Sequence, residues 1–314
     1  MFGFSPWTGK TMILWRAGTS RIDFFSFLFR SGFFVRFHTR IMGENSMNIQ
    51  KSSTLVLTGE DLHILNPHFQ KILDTRDKPG LIRLARKQID GGATALDINP
   101  GPAKAMAGRL IWAMEIIQQN WTIPLFLPAG EHLEAALQCH IGQATINAVT
   151  ADPVKLETYM SLAKTYDANL VVLLTRPGLW TTGSQQQLQM ALDVLEQADL
   201  VDLPFENIYL DPVFSVRTDP LTWNLSGGMP DLDRALELIS LIGELSNQKA
   251  KTILALSNGT MGLAAAKRST SHCRMLPLLV DAGLRAVILN CRDKALMTIA
   301  RTLNNGGGIH KNAA

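Results

Sequence analysis

From Thr54 onward the chain alternates between two hydrophobic patterns. Short apolar runs open each cycle: TLVLTG (54–59), ATALDIN (93–99), IPLFLP (123–128), ATIN (144–147), ANLVVLLT (168–175), ENIYLDP (206–212), KTILALSN (251–258) and RAVILN (285–290). None alternates strictly between apolar and polar. Continuous runs of this length belong to strands buried on both faces, as in parallel sheets. The segments between them carry apolar residues at helical period. GLIRLARKQIDGG (80–92) sets Leu81, Leu84, Ala85 and Ile89 on one face and stops on glycine. DPVKLETYMSLAKTYD opens on Asp152 and Pro153, a helix-start signal. LDRALELISLIGELSN (232–247) and HCRMLPLLVDAGL (272–284) repeat the scheme, with Pro277 expected to kink or shift the second.

Eight strands, each followed by a helix within about 250 residues, predict an α/β fold: a single-domain (β/α)8 TIM barrel. A doubly wound open sheet would show a glycine fingerprint after its first strand. The first strand here ends TGEDLH, without one.

Residues 1–50 follow other rules. They hold many phenylalanines, with Arg16, Arg21, Arg30, Arg36 and Arg40 among them, and Asp23 is the one acid before Glu44. This composition fits a transit-like leader, an amphipathic surface anchor, or a translated upstream region with the natural start at Met42 or Met47. The third reading is favoured, because the ordered pattern starts at Thr54. The segment is therefore expected to be disordered or non-native, and 306–314, opening on three glycines, to be a flexible tail.

The 314 residues are 46% hydrophobic and 18% charged, with a net charge of +3. No basic cluster marks a nucleic-acid partner. The longest aromatic run, Phe24 to Phe29, is too short to span a membrane. Cys139, Cys273 and Cys291 form no CxxC pair and no metal set, which suits a reducing, cytoplasmic setting.

Active sites of (β/α)8 barrels lie at the C-terminal ends of the strands. Polar groups stand at these ends throughout: Glu60 and Asp61, with Asn66 further on; Asp97 and Asn99; Pro128, with Glu131 just beyond; Asn147; Thr175 and Arg176; Asp211; Asn258; Asn290. A single polar strand end reads as a turn. A ring of carboxylates and amides reads as a site, and it lacks the usual nucleophile. A carboxylate accepts two parallel N–H bonds, and an amide both gives and takes. The match is a flat heterocycle with a two-donor edge and a lactam edge, such as a pterin.

Three stretches carry a family likeness: ARKQIDGGATALDINPGP (85–102), ENIYLDPV (206–213) and TILALSNGT (252–260), with ATINAVTADPVKLE (144–157) a weaker fourth. From about Leu55 to Leu303, within a barrel domain expected over 51–305, the chain resembles the pterin-binding, dihydropteroate synthase-like barrels, in particular the methyltetrahydrofolate:corrinoid/iron-sulfur protein methyltransferases. The resemblance implies that Asp211 takes the pterin's two-donor edge and that Asn147 binds another edge. It implies that Asn258 is the catalytic amide at the methyl-bearing N5, and that Asp97 and Asn99 shape the site. Glu131, Arg268 and Asn290 are further candidates. It also implies tetrahydrofolate or methyltetrahydrofolate as substrate, a corrinoid (cobalamin) carried on a partner protein, no resident metal, and a homodimer.

Two departures stand out. Pro128 occupies the position of a pterin-binding acid, and the family's Gly-Glu-Arg-Ile-Asn becomes Gly59-Glu60-Asp61-Leu62-His63. A non-catalytic or drifted barrel that binds a pterin, or docks a corrinoid protein, is the alternative. Dihydropteroate synthase itself would show a lysine on strand seven and Arg-x-His on strand eight. The chain has LALSNGT and LNCRD there.

Overall fold

A computed structural model describes residues 54–101, 107–176, 183–214, 231–261 and 263–305. The expectations for 1–50 and 306–314 lie outside these residues. Each apolar run forms a parallel strand: β1 (Val56–His63), β2 (Ala95–Asn99), β3 (Leu125–Leu127), β4 (Thr145–Thr150), β5 (Asn169–Leu173), β6 (Ile208–Asp211), β7 (Lys251–Ala255) and β8 (Ala286–Leu289). The strands follow chain order into a closed barrel, sealed by β1 pairing with β8. Ala95, Phe126, Val171, Tyr209, Ile253 and Ala286 form a buried layer, each from a different strand.

The described helices are α1 (Pro67–Thr75), α2 (Lys78–Gly91), α3 (Ala107–Asn120), α4 (Leu133–Cys139), α5 (Pro153–Thr165), α6 (Ser184–Leu200), α7 (Leu232–Leu245), α8 (Ala265–Asp281) and α9 (Lys294–Asn304). Asp152 caps α5 by accepting from the amides of Val154 and Lys155, with Pro153 in the first turn. The α2 helix ends at Gly92, whose φ of 107° is left-handed and suits glycine.

Pro277 does not set a boundary. α8 starts before His272 and runs through the proline. An interior proline costs about 3 kcal/mol. Met275, Leu276 and Leu279 are buried around it, and this apolar face holds the helix on the barrel.

Two strands depart from the expected lengths for one reason. β1 continues past Gly59, and its register against β2 slips between Gly59 and Leu62. β4 continues past Asn147, and its register against β5 slips between Ile146 and Val149. Each slip inserts an extra residue, a β-bulge, which re-aims nearby side chains. Glu60 and Asp61 sit in the first bulge, Asn147 and Ala148 in the second.

The chain ends of the barrel are tied together. The Asn304 side chain accepts from the Leu55 amide at 2.7 Å and donates to the Leu55 carbonyl at 3.0 Å.

Candidate active site at the C-terminal mouth of the barrel

The β2 end and the β4 bulge bring Asp97 and Asn147 into contact. Asn147 Nδ2 donates to Asp97 Oδ1 at 3.0 Å. Asp97 is buried, and burial pushes its carboxyl up to about 6; the Asn147 bond opposes this, and the nearby Glu60 charge adds to it. The Asn147 Nδ2 is committed to Asp97, and the Asn147 amide oxygen meets no donor among the described residues. Asn99 spends its own amide oxygen on the Gly101 amide at 3.0 Å, which shapes the loop after β2.

Asp211, the last residue of β6, is 7% exposed. Its Oδ1 accepts from the Val213 amide at 2.7 Å. Burial dominates and raises the carboxyl to about 7. Such a group folds more readily protonated than ionised. Its contribution to stability therefore declines as pH rises from about 4 to 7, and the ionised form costs the folded chain roughly 4 kcal/mol above that window. Asp211→Asn should accordingly melt at a higher temperature than the native chain at pH 8, with the gap closing near pH 4. A thermal melt series across pH measures this.

Glu60 stands in the β1 bulge. Burial raises its carboxyl, and a hydrogen bond from the Ser257 side chain lowers it in part; the Asp61 charge raises it, while Arg268 and Arg292 lower it. Asp61 is held by Arg292, with Nη2 at 3.0 Å and Nε at 2.8 Å, and its own amide donates to Gln88 Oε1 at 2.9 Å. Ser257 and Asn258 belong to the 3-10 turn Leu256–Thr260 that follows β7. Asn258 is exposed. The turn is pinned from behind: Thr260 Oγ1 lies 2.7 Å from Nε2 of buried His272 on α8. On its other side, Gly259 abuts the Phe214 ring.

A cleft of about 490 Å³ opens beside Asn147, lined also by Asn99, Pro128, Glu131 and His132. Glu131 is exposed on this rim, and half-buried Pro128 closes the β3 side.

The dihydropteroate synthase of Xanthomonas albilineans in complex with 7,8-dihydropteroate matches with a TM-score of 0.57 at 12% identity, over 83% of this chain and 96% of that one. The Yersinia pestis enzyme with a pterine-sulfa conjugate gives 0.57 at 14%, over 83% of this chain and all of that one. The fold is that of the dihydropteroate synthase barrel. In sequence, a methylcorrinoid:tetrahydrofolate methyltransferase of Eubacterium limosum is 23% identical over 164 residues, half of this chain. The match spans 60% of that methyltransferase's length. No protein-family model matches the chain.

Within this dihydropteroate synthase fold the sequence-predicted residues divide. Asp97, Asn147 and Glu131 gather on the β2–β4 side, with Asp211 at the end of β6 and Asn258 in the turn after β7. Arg268, on α8, is exposed and within electrostatic reach of Glu60. Asn290 accepts from the Arg292 amide at 3.0 Å, so its side chain serves the turn after β8. Arg176 is tied to Asp193 at 2.7 Å and to the Ala151 carbonyl at 2.9 Å, a structural clamp. Asn66 caps α1. The Glu60–Ser257 contact has no counterpart among the expectations. The signal for it was the polar Gly59-Glu60-Asp61 interrupting an apolar run, which is where the bulge falls.

Proposed function

We propose that this barrel binds a reduced pterin and moves a methyl group between N5 of (methyl)tetrahydrofolate and the cobalt of a corrinoid carried by a partner protein. The observation that carries the reading is Asp211: a buried carboxyl at a strand end, with Oδ1 braced by a backbone amide and Oδ2 making no hydrogen bond among the described residues. A two-donor heterocycle edge fits that carboxylate. The likeness to the Eubacterium limosum methyltransferase supports methyl transfer over other pterin chemistry.

In this reading Asp211 fixes the ring, and Asn147, oriented by Asp97, accepts from another edge. Asn258 would approach N5. An amide does not titrate, so it acts by presenting its oxygen to a protonated N5, which stabilises the charge that makes the amine a better leaving group. The corrinoid supplies the methyl-accepting or methyl-donating metal, and no protein nucleophile is required.

Calorimetric titration of the chain with methyltetrahydrofolate, followed by a methyl-transfer assay with cob(I)alamin, tests the proposal. Micromolar binding with turnover supports it. Absence of binding rejects it.

Pro128 favours the second reading, a pterin-binding barrel without catalysis. A hydrogen bond to a charged group contributes about 1.5–3 kcal/mol. Pro128→Asp should therefore tighten methyltetrahydrofolate binding roughly tenfold to a hundredfold. Unchanged affinity would mean that the β3 end does not meet the ligand.

A further inference from the structure

The end of β6 is held by two side chains that reach it from the helices outside the barrel. Gln187 of α6 is fully buried. Its Nε2 donates to the Pro212 carbonyl at 2.7 Å and to the Leu174 carbonyl, just past β5, at 3.0 Å. Its Oε1 accepts from Nη1 of Arg234 on α7. Arg234 Nη2 donates in turn to the Val213 carbonyl at 3.2 Å, and its Nε lies 3.5 Å from Asp231 Oδ2. The Arg234 side chain is 16% exposed. The Asp211 carbonyl accepts from the Leu174 amide at 2.8 Å. Each carbonyl from Asp211 to Val213 thus has a donor, and those of Pro212 and Val213 are met by Gln187 and Arg234.

Val213 gives this pair its purpose. Its φ of 55° is left-handed, a conformation that a β-branched residue keeps only where its surroundings over-determine it. That conformation sets the direction of the Val213 amide, and the amide holds Asp211 Oδ1 at 2.7 Å. Two aliphatic side chains would pack between the helices without desolvating any polar group. What the polar pair adds is a fixed loop. We propose that Gln187 and Arg234 are positioning residues for Asp211: acting through Val213, they hold the carboxyl so that Oδ1 is braced and Oδ2 is left for the ligand. Neither touches the ligand itself. The proposal rests on the pterin-binding reading of Asp211 and names the residues that make that contact possible.

The test compares the full native chain with Arg234→Met, which keeps most of the bulk and removes the donors. Asn304→Ala, which breaks the clasp on Leu55 at the N-terminal end of the barrel, is the control for lost stability. Calorimetric titration with methyltetrahydrofolate at pH 8 should show binding about tenfold weaker in Arg234→Met, the scale of one loosened charge-assisted bond. Asn304→Ala should bind as the native chain does, even with a lowered melting temperature. Arg234→Lys keeps the charge but not the fork that spans two acceptors, and should fall between native and Arg234→Met. Gln187→Met should match Arg234→Met, and the double variant should be about as weak as either alone, because the two act as one chain. A second readout needs no ligand: the titration of the Asp211 carboxyl by carbon-13 NMR, assigned by its loss in Asp211→Asn. The Val213 amide lowers this group, so loosening it should move the midpoint up from about 7 in Arg234→Met and leave it in place in Asn304→Ala. Native affinity in Arg234→Met, a midpoint that stays or falls there, or an equal loss of affinity in Asn304→Ala would each overturn the positioning role while leaving Asp211 its contact. A native chain that binds no methyltetrahydrofolate would instead reject the pterin reading, and the midpoint alone would then decide whether the pair positions the carboxyl.

Discussion

Asp211→Ala should carry methyltetrahydrofolate binding out of calorimetric range. Two donors on one buried carboxylate, at about 1.5–3 kcal/mol each, amount to roughly a hundredfold to ten-thousandfold in affinity. Asp211→Asn should fare little better, because half of an amide presents a donor to a donor. The pH dependence makes the test specific. In the proposed contact the ligand meets the ionised carboxylate, and burial raises that group to about 7. Affinity should therefore be level above pH 7 and fall about tenfold per pH unit below it. Near pH 6 binding should release a proton, read as a binding heat that changes with buffer ionisation enthalpy. The same substitutions remove a destabilising buried charge at pH 8. Lost binding alongside a raised melting temperature would separate a ligand effect from unfolding. Affinity that stays flat from pH 5.5 to 8 would remove Asp211 from the pterin contact.

The second large effect is expected at Gly259. A Cβ built there would lie 2.5 Å from a Phe214 ring carbon, and Phe214 is buried at 2% exposure. Forcing a methyl group into such a contact costs about 1–3 kcal/mol. The turn cannot retreat freely, because Thr260 is held by His272 behind it. The displacement must pass to Asn258, to the Asp211-Pro212-Val213-Phe214 segment, or to both. Gly259→Ala should lower the melting temperature by roughly 2–4 °C per kcal/mol. It should cut the methyl-transfer rate by up to about a hundredfold, the scale of an ångström of misplacement, with a smaller loss of affinity. Combining it with Phe214→Leu should recover much of both. A Gly259→Ala chain with native melting and native turnover would show that the two loops are not coupled.

All eight barrel strands were legible in the sequence, because a strand covered on both faces needs a continuous apolar run and little else can use one. Cap residues were legible as well: Asp152 and Gly92 act through local stereochemistry. The bulges were not. Whether Asn147 ends a strand or sits inside one depends on its register against β5, a pairing that single-chain periodicity does not carry. Glu60 was legible as a strand-end group, but its contact with Ser257 was hidden for the same reason: the two lie almost two hundred positions apart in the chain. Asn290 shows the opposite limit. An asparagine at a strand end has the same one-dimensional signature whether it meets a ligand or, as here, its own turn. Pro277 was expected to kink or shift its helix because proline's local cost is visible in sequence, whereas the buried face that offsets that cost is a property of the assembled barrel.

The clasp between Asn304 and Leu55 joins residues 249 apart in the chain. During synthesis the first strand leaves the ribosome long before its neighbour β8 or its clasp exists. At about 5–20 residues per second that interval is on the order of 12–50 s. Throughout it, one edge of β1 offers unpaired backbone groups to any other strand within reach, the usual invitation to misassociation. Chaperone dependence in the cell should thus track how quickly the stretch from the end of β7 through Asn304 is translated, and slow codons there would be expected to lower soluble yield without altering the finished protein.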